Sequence, residues 1–259
     1  MRPSFNNENG GTFVLIEPGN ILDIVIEEPF FIGSRPVTQV EWTAVMGENP
    51  SKFQEGWSAG LRPVESVSWL DCQSFLSALN AQETEQRLGL SGLWRLPTAE
   101  EWEYACRAGS KTAYHFGDST EDLADYAWYK SNSEGKYHKV GQKKPNDWGL
   151  HDMHGNVAEW TLDQYSPKTY YSYVGKTTKN PLNIATKLYP RVVRGGSWMN
   201  PDYRLRSSSR LPSNKSWKKQ DPQIPKSRWW HTDAQFLGFR IVRPYETPSD
   251  NEKEKFWIE

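Results

Sequence analysis

Hydrophobic and polar positions follow two different periods in the first third of the chain. Residues 12–33 hold β-branched and aromatic runs broken by Pro-Gly-Asn, a pattern typical of two strands joined by a turn. Three later segments begin with a hydroxyl residue followed three positions on by a carboxylate, the signature of a helix capping box. These pairs are Thr38 with Glu41, Ser68 with Asp71, and Thr98 with Glu101. The pattern predicts a strand pair and then three short helices, the first ending at Gly47 and the third at Gly109.

Beyond residue 110 the helical periodicity is lost and turn-forming residues dominate. Strand-like runs occur only at RVVRGGSW (191–198) and FLGFRIVR (236–243), and no internal repeat of fixed period is present. We therefore predict a single compact α+β domain over residues 11–243, loop-rich and with few regular elements. Residues 1–10 are interpreted as an N-terminal extension and residues 244–259 as a charged C-terminal tail.

Composition adds an unusual core and excludes a membrane span. The chain has 259 residues and is 14% aromatic at only 36% hydrophobic, which predicts a core of rings whose polar edges bond to irregular backbone. The formal net charge is -1, the mean hydropathy is -0.79, and no apolar run approaches the roughly 20 residues of a membrane helix. The opening residues lack an apolar signal segment, so we expect a cytoplasmic protein. Cys72 and Cys106 are expected to be buried, reduced thiols on helices.

One segment, GLHDMHGNVAEW (149–160), offers hard oxygen ligands around a tight turn. The side chains of Asn156 and Glu159 and the carbonyl of Val157 together suit Ca²⁺. The alternative is an Asn that shapes the turn and a Glu that pairs with an arginine. A transition-metal site at His151 and His154 is less favoured than the calcium site, because no third imidazole or thiolate ligand lies nearby in the sequence.

Six separated motifs then give a family resemblance that covers residues 11–243. In order they are RPVTQVEW, RPVESVSW, WRLPTAEEWEYACRAG, PNDWGLHDMHGNVAEW, RVVRGGSW and GFRIVR. Their order resembles the sulfatase-modifying factor family, whose best-known member is the formylglycine-generating enzyme. The resemblance implies a compact variant of the C-type-lectin fold, usually with one or two bound calcium ions.

The resemblance also implies a catalytic pair of copper-binding cysteines just after the RGGS segment. Here the matching positions are Asn200 and Leu205. Neither side chain forms a thiolate, so the soft two-sulfur copper site cannot assemble and no catalytic residue is predicted. Formylglycine generation is therefore the least favoured activity. Arg194 and its Gly-Gly-Ser neighbours are expected to persist for structure, with Arg194 paired to an internal carboxylate.

An insertion at residues 211–235 is rich in basic residues and tryptophan. Residues 191–228 carry ten Lys and Arg against two Asp, a local balance of +8 in a nearly neutral chain. We predict that this region binds an acidic protein or an anionic small molecule in preference to single-stranded nucleic acid. The alternative is a solvated loop with its tryptophans packed into the core. The candidate ligand-binding residues are Asn200, Tyr203, Arg206, Trp217, Trp229, Trp230 and His231.

Two functions from different classes follow. The favoured one is a non-catalytic ligand- or protein-binding module, stabilised by calcium, with its binding face in residues 198–231. The alternative is an oxygen-dependent oxidoreductase whose copper or non-heme iron is held without cysteines. Its ligands would come from scattered histidines, namely His115, His138, His151, His154 and His231. Metal analysis of the purified protein distinguishes the two.

Overall fold

The computed structural model describes residues 2–82, 93–218 and 234–256 as an α+β fold with short elements joined by long loops. The helices are α1 (Gln39–Met46), α2 (Trp69–Gln82), α3 (Ala99–Arg107), α4 (Leu123–Tyr126), α5 (Pro167–Tyr173) and α6 (Asp250–Phe256). The strands are β1 (Ser4–Asn6), β2 (Thr12–Ile16), β3 (Gly19–Ile21), β4 (Ile24–Ile26), β5 (Phe30–Gly33), β6 (Ala158–Gln164), β7 (Thr178–Lys179), β8 (Arg191–Arg194), β9 (Leu211–Pro212), β10 (Leu237–Gly238) and β11 (Val242–Pro244). They form three sheets, ordered β1-β2-β5-β11, β10-β6-β8-β9 and β3-β4-β7.

The three predicted helix starts are confirmed. Reciprocal capping boxes precede α1 at Thr38 and α3 at Thr98. Before α2, the Ser68 N–H donates to the Asp71 carboxylate at 2.7 Å, and the Asp71 N–H donates to the Ser68 hydroxyl at 3.2 Å. Gly47 ends α1 in the left-handed region at φ +79°, as predicted. Helix α3 ends at Arg107, two residues before the predicted Gly109.

The predicted strand pair of residues 12–33 is wrong in count, because four strands occupy this stretch. The Pro-Gly-Asn segment was expected to be the turn, yet Gly19–Ile21 is itself strand β3, which pairs antiparallel with β4. The turn lies instead at Leu22, whose φ is +51°. Leu22 is an exposed but apolar residue, and an apolar residue gives no turn signal in the sequence.

Strand β6 is the longest strand of the described residues, and the sequence pattern did not predict it. It pairs antiparallel with β8 and parallel with β10, so it lies inside the second sheet. Six of its seven residues are buried. A strand buried on both faces shows no alternation of apolar and polar residues, and its charged Glu159 and Asp163 disguise it further.

The core is aromatic, as the composition predicts. Trp42, Trp94, Trp102 and Trp160 are at most 1% exposed. The Trp160 indole donates to the carbonyl of Val67 at 3.0 Å, so ring edges do bond to irregular backbone. Cys72 and Cys106 are buried free thiols on α2 and α3, which confirms that prediction. Within the described ranges, none of the helices combines the length and the apolar character that a membrane span requires.

The described segments near both ends of the chain pack onto the body. Strand β1 pairs with β2, so part of the predicted N-terminal extension belongs to the first sheet. Within the charged tail, residues 250–256 form α6, and Phe256 is buried. The guanidinium of Arg95 lies 4.8 Å from the centre of the Phe256 ring.

A buried carboxyl group, Asp163, connects the end of β6 to α3. One of its oxygens accepts the first N–H of α3, from Ala99, at 2.7 Å, and the other accepts the N–H of Asn183 at 3.0 Å. Burial raises the pKa of Asp163 to about 7, although the two N–H donors oppose this. The folded protein therefore keeps this carboxyl protonated at pH values where the unfolded chain releases the proton.

Asp163 is expected to make stability fall as pH rises from about 4 to about 7, because the folded state binds the extra proton in that window. Asp163→Asn removes this dependence. The free energy of unfolding of the variant relative to wild type should rise by up to about 1.4 kcal/mol per pH unit in the window. Urea denaturation at several pH values measures it. A difference that does not change with pH would show that Asp163 is ionised when folded.

Candidate functional site

The RGGS segment turns the chain sharply at the end of β8. Gly195 and Gly196 have φ values of +84° and +66°, both in the left-handed region. A Cβ at Gly196 would lie 2.9 Å from the carbonyl oxygen of Arg204. Only glycine fits this close approach of two backbone segments, so the turn brings residues 200–205 back against β8.

The two positions that match the family's cysteines are filled by structural side chains. Asn200 Oδ1 accepts the N–H of Ser197 at 2.9 Å and its hydroxyl at 3.0 Å, which closes the turn. Leu205 is fully buried in a cluster with Tyr114, Leu123 and Ala127. An amide closes the turn and an aliphatic group fills the second position, so no thiolate is available there for a soft metal.

A pocket of about 170 Å³ lies over this turn and the second sheet. Asn200 lines it together with Arg204 and Arg210. Arg210 is already bonded to the carboxylates of Glu100 and Glu103, at 2.8 and 2.9 Å. Arg204 is exposed, and its guanidinium lies 5.6 Å from the Tyr203 ring centre. The polar groups that face this opening therefore suit an anionic ligand.

Beneath the pocket, Arg194 pairs with a buried carboxylate as predicted. Its guanidinium donates to Glu103 at 2.5 Å and to the carbonyls of residues 207–209. Arg107 also bonds Glu103, at 2.9 Å. Burial would raise the pKa of Glu103, but Arg194, Arg210 and Arg107 together hold it below its usual value. This ionised cluster fixes the loop that carries the pocket.

The predicted calcium ligands have other partners. Both carboxylate oxygens of Glu159 accept from the Arg240 guanidinium, at 2.6 and 2.7 Å, and the Trp102 indole donates to one of them at 2.7 Å. The side chain of Asn156 bonds both the N–H and the carbonyl of His138. Val157 is fully buried beside β6. This arrangement matches the alternative of a turn-forming Asn and a paired Glu, and the three residues do not fit Ca²⁺ as a ligand set.

Asp152, four residues before Asn156, is the group that sequence reasoning missed. It is 2% exposed, and one carboxylate oxygen accepts the N–H of Gly141 at 2.8 Å. Its other oxygen is buried without a hydrogen-bond partner in the described residues. An orphaned buried carboxylate oxygen is a fitting ligand for a hard cation. The signal was present in GLHDMHGN, where Asp152 is the one acidic residue ahead of the Gly-Asn turn.

Two of the five histidines come together, which the sequence did not predict. His154 is buried, and its ring nitrogens lie 2.6 Å from the carbonyl of Leu205 and 3.0 Å from His115 Nδ1. Cys106 Sγ is 3.8 Å from His154 Nε2, so this thiol lies beside the loop that carries Leu205, although its position on α3 in the sequence is remote from that loop. Burial raises the pKa of Cys106 to about 12 and lowers that of His154 to about 3. Across the described ranges, no three His, Cys, Asp or Glu side chains are placed to hold one metal ion.

The candidate ligand-binding residues divide into three groups. Tyr203 and Arg206 are exposed near Asn200. Trp217 is half-buried against Trp160 and Phe236, which favours the packing alternative for this residue. Trp229, Trp230, His231 and most of the insertion 211–235 lie outside the described residues.

A family model described as "Sulfatase-modifying factor enzyme 1-like domain" matches residues 9–244. The chain belongs to this family. A solved structure, Treponema denticola variable protein 1, superposes with a TM-score of 0.75 at 26% identity, covering 93% of this chain and 98% of that one. The predicted fold class is thereby confirmed as that of the formylglycine-generating enzymes.

Curated relatives carry both active and inactive names. The chain is 29% identical to "Chaperone protein LppX" of Paenibacillus barcinonensis, over 66% of this chain and 70% of that protein. It is 32% identical to the formylglycine-generating enzyme of Mycobacterium tuberculosis, over 57% of this chain and 50% of the enzyme. It is 29% identical to "Inactive C-alpha-formylglycine-generating enzyme 2" of Bos taurus, over 58% of this chain and 44% of that protein. The chain thus spans half or less of these two enzyme-named relatives.

Proposed function

We propose that this member of the formylglycine-generating-enzyme family is a non-catalytic binding module. The observation that carries the proposal is the filling of both cysteine positions, with Asn200 closing a turn and Leu205 fully buried in an apolar cluster. A relative named as inactive and another named as a chaperone are compatible with a non-catalytic role. The scaffold is kept while the sulfur chemistry is absent from the loop.

The ligand is an acidic protein segment or an anionic small molecule, bound by the face in residues 198–231. Support comes from the pocket beside Asn200, where Arg204 is exposed, and from exposed Tyr203 and Arg206 on the same loop. An arginine offers several N–H donors in one plane, which suits a carboxylate. Exposed tyrosine supplies contact area with little loss of side-chain freedom.

Stabilisation by calcium is part of the proposal and centres on Asp152. The buried oxygen of Asp152, which has no hydrogen-bond partner among the described residues, supports it. Burial raises the pKa of Asp152, and the nearby charge of Glu159 adds a smaller effect in the same direction. In this proposal Asp152 is the side-chain ligand, while Glu159 stays paired with Arg240. A thermal-melt titration with CaCl₂ tests it: stabilisation of wild type and its loss in Asp152→Ala support the ion, and equal stabilisation of both would place it elsewhere.

The binding face can be tested with a charge-matched peptide pair. Hexaglutamate should bind the full chain saturably, and hexaglutamine should not. Arg204→Gln combined with Arg206→Gln should weaken binding about three- to tenfold, since an exposed ion pair contributes at most about 1 kcal/mol. The control is Lys176→Gln, an exposed basic residue outside this loop. Equal loss in the control would show nonspecific charge attraction and contradict the assigned face.

Catalysis is tested separately with a cysteine-containing sulfatase-type peptide, copper and oxygen. No aldehyde product is expected by mass spectrometry, because no thiolate pair is available at Asn200 and Leu205. Formation of the aldehyde would overturn the proposal. So would stoichiometric iron or copper in the purified chain together with oxygen consumption, because that result favours an oxidoreductase.

A further inference from the structure

A cleft of about 250 Å³ lies between the C-terminal segment and the body, and it shares no lining residue with the pocket at Asn200. Residues 244–256 form one wall, and β5, Arg95 and the start of α3 form the other. The Tyr245 N–H donates to the carbonyl of Pro29 at 3.1 Å, and Lys255 Nζ donates to the carbonyl of Asn180 at 3.3 Å. These contacts hold the C-terminal segment against the body.

The floor of this C-terminal cleft is apolar. Ile26, Phe30 and Phe256 are buried and line it, together with Pro29, Pro244 and Pro248. Such a floor suits a short hydrocarbon chain or a ring, because contact removes apolar surface from water on both sides.

The rim of the C-terminal cleft is acidic. Its lining includes four carboxylates, those of Glu28, Glu101, Glu246 and Glu252, against one guanidinium, that of Arg95. Arg95 is bonded to both oxygens of Glu101, at 2.6 and 2.7 Å, so this pair is internally neutralised.

Three carboxylates of the rim, those of Glu28, Glu246 and Glu252, are therefore not neutralised by Arg95. Glu28 and Glu246 are exposed, and no ion pair involves either within the described parts of the chain. Among the described residues, the hydrogen bonds that Glu252 accepts come from the N–H and the hydroxyl of Ser249, at 2.8 and 2.7 Å, while Lys255 and Arg95 act on it by charge alone. Lys255 at the edge offsets one of the three charges. The remaining negative charge is unbalanced at the mouth of an apolar cavity.

We infer that the C-terminal cleft binds a small organic dication, in which a short apolar chain carries an ammonium group at each end. The hydrocarbon part would lie on Phe30 and Phe256, and the ammonium groups would face Glu28 and Glu246. The negative rim repels carboxylates and phosphates and so disfavours them as ligands. This ligand class is opposite in sign to the one proposed for residues 198–231, so the two sites are distinguishable by ligand charge.

The probe is pentane-1,5-diamine, titrated into the full chain by NMR or calorimetry, with pentane-1,5-diol as the neutral isostere. The diamine should bind saturably and more weakly as salt is added. The diol should bind much more weakly. Glu28→Gln with Glu246→Gln should weaken diamine binding about three- to tenfold, and both residues are exposed, so folding is unaffected.

Glu121→Gln is the matched control, because Glu121 is exposed and does not line the cleft. It should leave diamine affinity unchanged. The inference is overturned if the diol binds as well as the diamine, if the control variant loses as much affinity as the double variant, or if no saturable binding occurs. Binding of a lysine-rich peptide without binding of the diamine would also overturn it, because the cleft would then be a protein-docking site.

Discussion

Glu159→Gln is expected to lower the free energy of unfolding by about 3–5 kcal/mol, the usual cost of removing one partner from a buried ion pair. Glu159 and Arg240 are both completely buried, and the carboxylate takes two bonds from Arg240 and one from the Trp102 indole. The glutamine keeps the shape of the side chain but turns an N–H₂ group toward a guanidinium that has only donors. Urea denaturation of both proteins measures the change.

The matched control is Glu27→Gln, which removes the partner of Lys179 in an exposed pair with 36% and 65% of the two side chains accessible. That change is expected to cost at most about 1 kcal/mol. Equal losses for the two variants would contradict a structural role for the buried pair. Repeating the urea denaturation with CaCl₂ adds a test of the ion. Because the proposed ion lies at Asp152 and Glu159 is paired with Arg240, we expect calcium to stabilise wild type and Glu159→Gln alike, and loss of the effect in the variant would place Glu159 among the ligands.

Gly155→Ala is expected to cost about 4 kcal/mol or more and to disturb the loop at Asn200 and Leu205. Gly155 has φ +100°, and an added Cβ would overlap the carbonyl oxygen of Trp128 and approach Leu205 Cδ2 at 3.2 Å. That carbonyl accepts the N–H of Asn156 at 2.8 Å, so relieving the overlap breaks a buried hydrogen bond. Thermal and urea denaturation would measure the loss, and hexaglutamate binding would fall with it.

Gly149→Ala separates the two causes of this loss, which are the strain of a left-handed backbone and the overlap with Trp128. Gly149 has φ +83°, and an added Cβ there meets no atom within 4 Å. Its cost should be only the backbone strain of a left-handed residue, about 1–2 kcal/mol. If the two alanine variants were equally destabilised, the close approach of Gly155 to Trp128 would not be a structural constraint.

The helix starts were predictable because a capping box is a local interaction. Thr98 and Glu101 satisfy each other's backbone across three residues, so the signal is complete within the sequence. The pairing of Arg194 was also predictable, because a charged side chain in a buried strand must have a partner. The sequence did not predict that this partner is Glu103 on α3, because the two residues are 91 positions apart.

The site was predicted in part. Comparison of motifs located Asn200 and Leu205, and the structure places both in the loop after β8. The role of Glu159 was left open between an ion ligand and an arginine partner. The structure places Arg240 against it, 81 residues further along the chain. Asp152 was missed because an orphaned oxygen is visible only when every neighbour is known.

By itself the sequence determined the helix caps, the aromatic core, the family and the absence of a cysteine pair at residues 200 and 205, because each depends on residue type at short or ordered spacing. The tertiary structure alone decided that β6 is a strand, that Cys106 and two histidines meet beside Leu205, and that the C-terminal segment encloses an acidic cleft. Those features depend on contacts between residues distant in the chain, and such contacts are set by how the sheets and loops pack.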